Sequence, residues 1–243
     1  MTHLDLFTGI GGFHLAAGWA GFQTAGFSEI EPYCCQLLAE KWPEIPNYGD
    51  IRTADFSGLR GRITVCSAGV PCQPASLAGK RRGAGDDRWL WPAVLDVVGT
   101  VEPAWVILEN PPGVASLDSF EEVLLRLATL GYTRKRYDVS VEAIGGDHLR
   151  YRTFIVGNLD CAGLAKRQSK QGNNGAERPT VIGTSRPEFN AELLREVHGI
   201  RDRSHRLKAL GNAVVPQQVY PFFAAIAQVE GLRSSERPEW SAR

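Results

Sequence analysis

Six short runs rich in apolar and β-branched residues punctuate the chain, at 3–7, 23–28, 62–68, 104–109, 132–141 and 153–157. Between them lie segments whose apolar positions follow helical spacing: 12–20, 32–42, 91–98 and 119–130. In the last of these, Phe120, Val123, Leu124, Leu127 and Leu130 recur every three or four residues, which places them on one face of a helix. Strand and helix in alternation predict βαβ units, a mostly parallel sheet and an α/β fold. The alternation lapses near Gly157. Residues 158–190 are rich in Gly, Asn, Gln, Lys and Arg, and 168–175 reads as an exposed loop. The pattern resumes weakly, and 213–229 offers an apolar helix after Gly211 and Asn212. The polar stretch 231–243 is expected to fray.

Composition narrows the class. The chain has 243 residues, 43% of them hydrophobic, enough for one or two domains with a buried core. No apolar run approaches the ~20 residues that span a bilayer. No basic stretch precedes an apolar one at the N-terminus, so a secretory signal is not expected. Five cysteines (Cys34, Cys35, Cys66, Cys72 and Cys161) form no CxxC pair. An odd count without that spacing argues against a disulfide framework or a zinc site and fits a reducing cytoplasm.

The 27 basic and 27 acidic side chains give a formal charge of zero, which by itself argues against a nucleic-acid partner. Their distribution reverses that inference. Residues 1–130 carry 9 Lys and Arg against 15 Asp and Glu, and the remainder carries 18 against 12. The chain has an acidic first half and a basic second half.

Candidate chemistry clusters where the predicted strands end. Leu4-Asp-Leu-Phe-Thr-Gly-Ile-Gly-Gly-Phe13 runs from a strand through a glycine-rich turn into a helix, a geometry that lets a ligand approach backbone amides. His14 stands where the dinucleotide fingerprint needs its third glycine. Glu29 follows the second strand, where an acid accepts hydrogen bonds from ribose hydroxyls. Asp50, in Gly49-Asp50-Ile51, follows a third strand region and is suited to an exocyclic amine. Together they point to an adenosine along the sheet's carboxyl edge. Cys72, in Ala68-Gly-Val-Pro-Cys-Gln-Pro-Ala-Ser76, sits in a loop stiffened by Pro71 and Pro74, a setting for a reactive thiol. Glu109 ends another apolar strand and is placed for acid chemistry. Arg150 and Arg152 alternate with Tyr151, so both face one way and can hold a phosphate or a reacting ring.

These motifs, in this order, resemble the C5-cytosine DNA methyltransferases. The likeness runs from Leu4 to about Gly157 and resumes near 203–217, where Gly211-Asn-Ala-Val-Val-Pro216 is similar to the family's closing motif. It implies a Rossmann-like, S-adenosylmethionine-dependent catalytic domain over 1–157 and 205–230, with a small target-recognition region at 158–204. By resemblance, Cys72 is the nucleophile that adds to cytosine C6, Glu109 holds the ring, and Arg152, supported by Arg150, orients a base flipped out of the duplex. The cofactor residues implied are Phe7, Gly9, Ile10, Gly11, Gly12, Glu29, Ile30, Asp50, Ile51, Pro71, Asn212 and Val214. The segment after Cys72 is similar to the family's DNA-closing loop, with Ser76, Lys80, Arg81, Arg82 and Arg88 as DNA contacts. No metal is implied. The implied partners are double-stranded DNA and a cognate restriction endonuclease, for a monomer acting in the cytoplasm.

Departures from the family pattern are Pro111 in place of valine after Glu-Asn, Ala75 in place of an aromatic, and His148 in place of glutamine before Arg-x-Arg. None removes a reacting group. The recognition region is short, which favours a short target sequence. Asn110-Pro-Pro112 resembles the Asn-Pro-Pro-aromatic motif of amino-methyltransferases, but Gly113 stands at the aromatic position and Cys72 is left unexplained. The motifs alone leave open an RNA cytosine substrate or a catalytically silent DNA-binding relative.

Overall fold

The computed structural model describes residues 1–71, 89–111, 118–142, 151–159 and 209–235. They form a six-stranded sheet with helices on both faces. The elements are β1 (Thr2–Leu6), α1 (Gly12–Trp19), β2 (Gln23–Ser28), α2 (Pro32–Lys41), a 3₁₀ turn (Ser57–Leu59), β3 (Val65–Gly69), α3 (Trp91–Val101), β4 (Trp105–Asn110), α4 (Asp118–Thr129), β5 (Thr133–Ser140), β6 (Tyr151–Asn158) and α5 (Pro216–Ser235).

Strand order is β2-β1-β3-β4-β6-β5. The first four strands are parallel, and β6 runs antiparallel to both β4 and β5. The expectation of a mostly parallel sheet therefore holds on one side only. The connection from β5 to β6 is about ten residues, too short for the crossover that a parallel pair requires.

Alternation within the strands divides the core. On one face Leu4, Leu6, Cys66, Ala68, Val106, Leu108 and Ile155 pack against α3 and α4. On the other, Val65, Trp105, Ile107 and Phe154 pack with Phe13, Ala16 and Ala17 of α1 and Val219, Phe223 and Ile226 of α5. A sheet covered on both faces explains the near-continuous apolar run of β4. The C-terminal helix thus returns to the first half of the chain and lies beside α1.

Two differences from the sequence reading have physical causes. The strand region expected before Asp50 is a loop with a single bridge, Phe27 to Asn47. Pro43 and Pro46 remove two backbone donors there. The C-terminal helix continues through Gly231 to Ser235, past the point where fraying was expected, because extending a formed helix by one turn costs little. Among the described residues no helix is long and apolar enough to cross a membrane.

Candidate active site

The strand order reverses at β1, whose neighbours are β2 and β3, and such a switch point opens a crevice at the carboxyl edge of the sheet. The glycine-rich turn lies there. Phe7 and Thr8 both donate their amides to Ser28 O, at 2.8 and 3.4 Å, so the turn is tied to the end of β2. Phe7 (φ 56°), Gly9 (φ 57°) and Gly11 (φ 90°) all adopt left-handed backbone conformations.

Two of the glycines are fixed by their surroundings. Gly11 caps α1 at positive φ, and a Cβ there would fall 2.9 Å from the Trp42 ring. At Gly12 a Cβ would fall 2.3 Å from Val214 O. The loop before α5 therefore rests directly on the first turn of α1. Val214 also reaches β3, where its Cγ2 would lie 3.4 Å from a Cβ on Gly69. Asn212, two residues before Val214, is exposed.

Glu29 closes the turn from the β2 side. Its Oε2 accepts from Gly9 N at 2.7 Å, and its Oε1 accepts from Ile30 N and Glu31 N, each at 2.8 Å. Ile30 next to it is 59% exposed, an apolar side chain with no cover on its outer face. Asp50 is gripped by Arg52, whose Nη2 lies 2.6 Å from Oδ2. The Arg52 hydrogen bonds hold the Asp50 carboxyl down to about 2. Ile51 points inward and is buried in the core, so its neighbour Asp50 is the group left at the surface.

The sequence reading missed the polar cluster beneath this turn. Asp5 is fully buried on the face of β1 that meets α1 and α5. Its Oδ1 accepts from Ser67 Oγ at 3.0 Å, and Ser67 Oγ lies 2.8 Å from His3 Nε2. His3 Nδ1 lies 3.1 Å from Thr24 Oγ1, which lies 2.8 Å from His14 Nδ1. Burial pushes the Asp5 carboxyl up to about 8, against the pull of Ser67 and the His14 amide, and the Glu29 carboxylate pushes the same way as burial. Burial lowers His3 to about 3, with help from His14. Asp5 Oδ2 has no partner that meets hydrogen-bond geometry. The signal for this cluster was in β1 itself, where His3 and Asp5 alternate with Leu4 and Leu6 in a strand buried on both faces.

The second half of the site lies at the ends of β3, β4 and β6. Glu109 pairs with Gly69 across the β3–β4 ladder and with Phe154 across β4–β6. Its carboxylate is buried, and Arg152 Nε lies 2.5 Å from Oε1. Arg152 Nη1 also donates to Tyr151 O at 2.8 Å, which fixes the guanidinium. Glu109 Oε2 faces Gly69, 3.5 Å from where a Cβ there would stand. Pro71 follows two residues beyond Gly69, at the surface. Cys72, Ser76, Lys80, Arg81, Arg82, Arg88 and Arg150 lie outside the described residues. The fold brings Glu109 and Arg152 into contact and places the turn residues Gly9, Ile10, Gly11 and Gly12 beside Glu29 and Val214. Among the described residues no group of three or more His, Cys, Asp or Glu is arranged to hold a metal.

Residues 1–192 match the family model of C-5 cytosine-specific DNA methylase. Type II methyltransferase M.NgoBI of Neisseria gonorrhoeae is 35% identical over 161 residues, 65% of this chain and 50% of that protein. M.NgoMIV of the same organism is 33% identical over 160 residues, 64% of this chain and 51% of its own. The chain thus spans about half the length of these curated relatives. The S. pombe Dnmt2 methyltransferase structure superposes with a TM-score of 0.57 at 21% identity, over 73% of this chain and 57% of that one, a likeness of fold. With the glycine turn, the Glu109–Arg152 pair and the family model all falling within the same α/β framework, the chain belongs to the C-5 cytosine-specific DNA methylase family.

Proposed function

We propose that the chain transfers a methyl group from S-adenosylmethionine to C5 of a cytosine in DNA, through a transient bond between Cys72 and C6. The buried Glu109–Arg152 pair carries the reading, because it combines a ring-binding carboxyl group with a fixed cation at the end of β4, beside Gly69 of β3, three positions before Cys72 in sequence.

The residues around the turn fit the cofactor. Glu29 has carboxylate lone pairs for ribose hydroxyls, Ile30 offers an apolar face to an adenine, and Asp5 is a buried carboxyl group whose Oδ2 meets no partner at hydrogen-bond geometry. Phe7, the turn at 9–12, Asp50, Ile51, Pro71, Asn212 and Val214 complete the proposed pocket. When bound, S-adenosylmethionine supplies a methyl group on a positively charged sulfur.

Cytosine C5 is a weak nucleophile. The Cys72 thiolate forms a bond to C6, and the C5–C6 electron pair becomes available at C5, which would take the methyl group as the methyl–sulfur bond breaks and the sulfur leaves as a neutral thioether. Glu109, carrying a proton when the base is bound, would donate it to N3 and accept from the exocyclic amine, which stabilises the negative charge that builds on the ring during addition. Arg152 keeps Glu109 Oε1 in place. A base then takes the C5 proton, the C–H pair restores the C5–C6 double bond, and the C6–S bond breaks to return the thiolate. The basic residues after Cys72 would hold the DNA backbone while the target base is out of the stack. Because the curated relatives are Type II methyltransferases, a cognate endonuclease is the proposed partner, with the cytoplasm as the place of action.

Duplexes with 5-fluorocytosine at random cytosine positions test this reading. Fluorine cannot leave as a proton, so an active enzyme with S-adenosylmethionine should yield a denaturation-resistant protein–DNA adduct that Cys72→Ser abolishes. Absence of the adduct with folded, cofactor-binding protein would overturn it, and an adduct only with substituted RNA would move the substrate to RNA.

A further inference from the structure

The cluster beneath the turn has a fixed hydrogen-bond direction. A serine hydroxyl has one proton, and Ser67 gives it to Asp5 Oδ1 at 3.0 Å. Ser67 Oγ must then accept from His3 Nε2 at 2.8 Å, which leaves His3 Nδ1 as an acceptor for the Thr24 hydroxyl. Thr24 in turn accepts from His14 Nδ1 at 2.8 Å. Every donor points from α1 toward Asp5. His3 is held further by the edge of Phe223, 5.1 Å away between ring centres, so the ring cannot turn freely.

We propose that His14, Thr24, His3 and Ser67 form a one-way relay that fixes Asp5 beneath the glycine turn, so that binding of the cationic cofactor releases a proton from Asp5. The inference rests on the cofactor reading above. The titratable groups that face Asp5 are Glu29 from the β2 loop, His3 on its own strand, His14 from α1 and Cys66 from β3. His3 is held neutral by burial, and burial also keeps the Cys66 thiol protonated, so neither supplies a countercharge. Asp5 and Glu29 are two carboxyl groups approaching one turn, and Asp5 is the one burial leaves protonated near neutrality. A positively charged sulfur or ammonium bound at the turn would supply the missing countercharge and favour the carboxylate, whose Oδ2 meets no partner at hydrogen-bond geometry. His3, Thr24, Ser67 and His14 act as positioning residues; they touch Asp5 or one another.

Titration calorimetry of S-adenosylmethionine into the full chain tests the relay, run at pH 7 in two buffers of different ionisation enthalpy. Wild type should release close to one proton per cofactor bound, and affinity should rise up to tenfold per pH unit toward pH 8. Asp5→Asn removes this release, and whatever remains comes from the cofactor's own amino group. Ser67→Ala removes the donor to Oδ1 and should move the midpoint of the affinity profile up by about one pH unit. Tight binding by wild type with the same proton count as Asp5→Asn would overturn the relay. An unmoved midpoint in Ser67→Ala would overturn the role of its hydroxyl. No cofactor binding at any pH would overturn the cofactor reading, and the relay with it.

Discussion

Arg152 Nε and Glu109 Oε1 meet at 2.5 Å, with side chains 18% and 7% exposed. A pair this buried depends on both members, since removing one strands the other's charge. Arg152→Ala should therefore slow single-turnover methylation by on the order of 10²-fold or more. Arg152→Lys should recover little, because a lysine has no Nε to donate at this angle and no second nitrogen for Tyr151 O. Cofactor affinity, measured by calorimetry, should stay within a few-fold of wild type in both.

Glu29 accepts three backbone amides with its two oxygens, which joins the turn to the end of β2. Hydrogen bonds to a charged acceptor are the stronger ones, ~1.5–3 kcal/mol each. Glu29→Ala should weaken S-adenosylmethionine binding by at least roughly tenfold. Glu29→Gln should lose less, because one carbonyl oxygen survives to accept. Equal affinity in wild type and Glu29→Ala would remove Glu29 from the pocket.

Gly12 leaves no space for a side chain, since a Cβ added to it would stand 2.3 Å from Val214 O. Gly12→Ala has to push the loop before α5 off α1. The expected result is a melting temperature lower by several degrees, from a cost of about 1–3 kcal/mol, together with weaker cofactor binding. Gly18→Ala, on the same helix with open space around it, should leave cofactor binding unchanged and hold or raise the melting temperature.

Asp5 and His3 also give the stability a defined pH profile. Asp5 is raised from 3.8 to about 8, so its neutral folded form is favoured below 3.8 and the advantage is lost as pH rises through 8. His3 is lowered from 6.5 to about 3, so its contribution is complete above 6.5 and is lost as pH falls through 3. Between 3.8 and 6.5 the two slopes oppose each other. Above 6.5 only the Asp5 slope remains, and cofactor-free protein should lose stability toward pH 8 in urea titrations. Asp5→Asn should be flat over that interval. A wild-type profile equally flat there would show that Asp5 titrates normally.

Much of this organisation is legible in the sequence because alternation and turn chemistry are local. Leu4 and Leu6 against His3 and Asp5 give β1, and the glycines after Phe7 give the turn. Helical spacing from Phe120 to Leu127 gives α4. The antiparallel β6 was not legible, because direction within a sheet depends on how long a connection is and what it crosses. Glu109 and Arg152 were each visible as candidates, yet their contact follows from β4 and β6 being neighbours, a property of topology. The Asp50–Arg52 pair is separated by one residue and was within reach of sequence reasoning. The relay from His14 to Asp5 joins residues of β1, α1, β2 and β3, and only the folded sheet assembles it.

The most direct measurement is bisulfite sequencing of DNA from cells without other cytosine-C5 methylation, after expression of the full chain. Protected cytosines in one short recurring sequence, absent with Cys72→Ser, are the predicted result. Unprotected DNA alongside folded, cofactor-binding protein, or equal protection by Cys72→Ser, would contradict methyl transfer through Cys72.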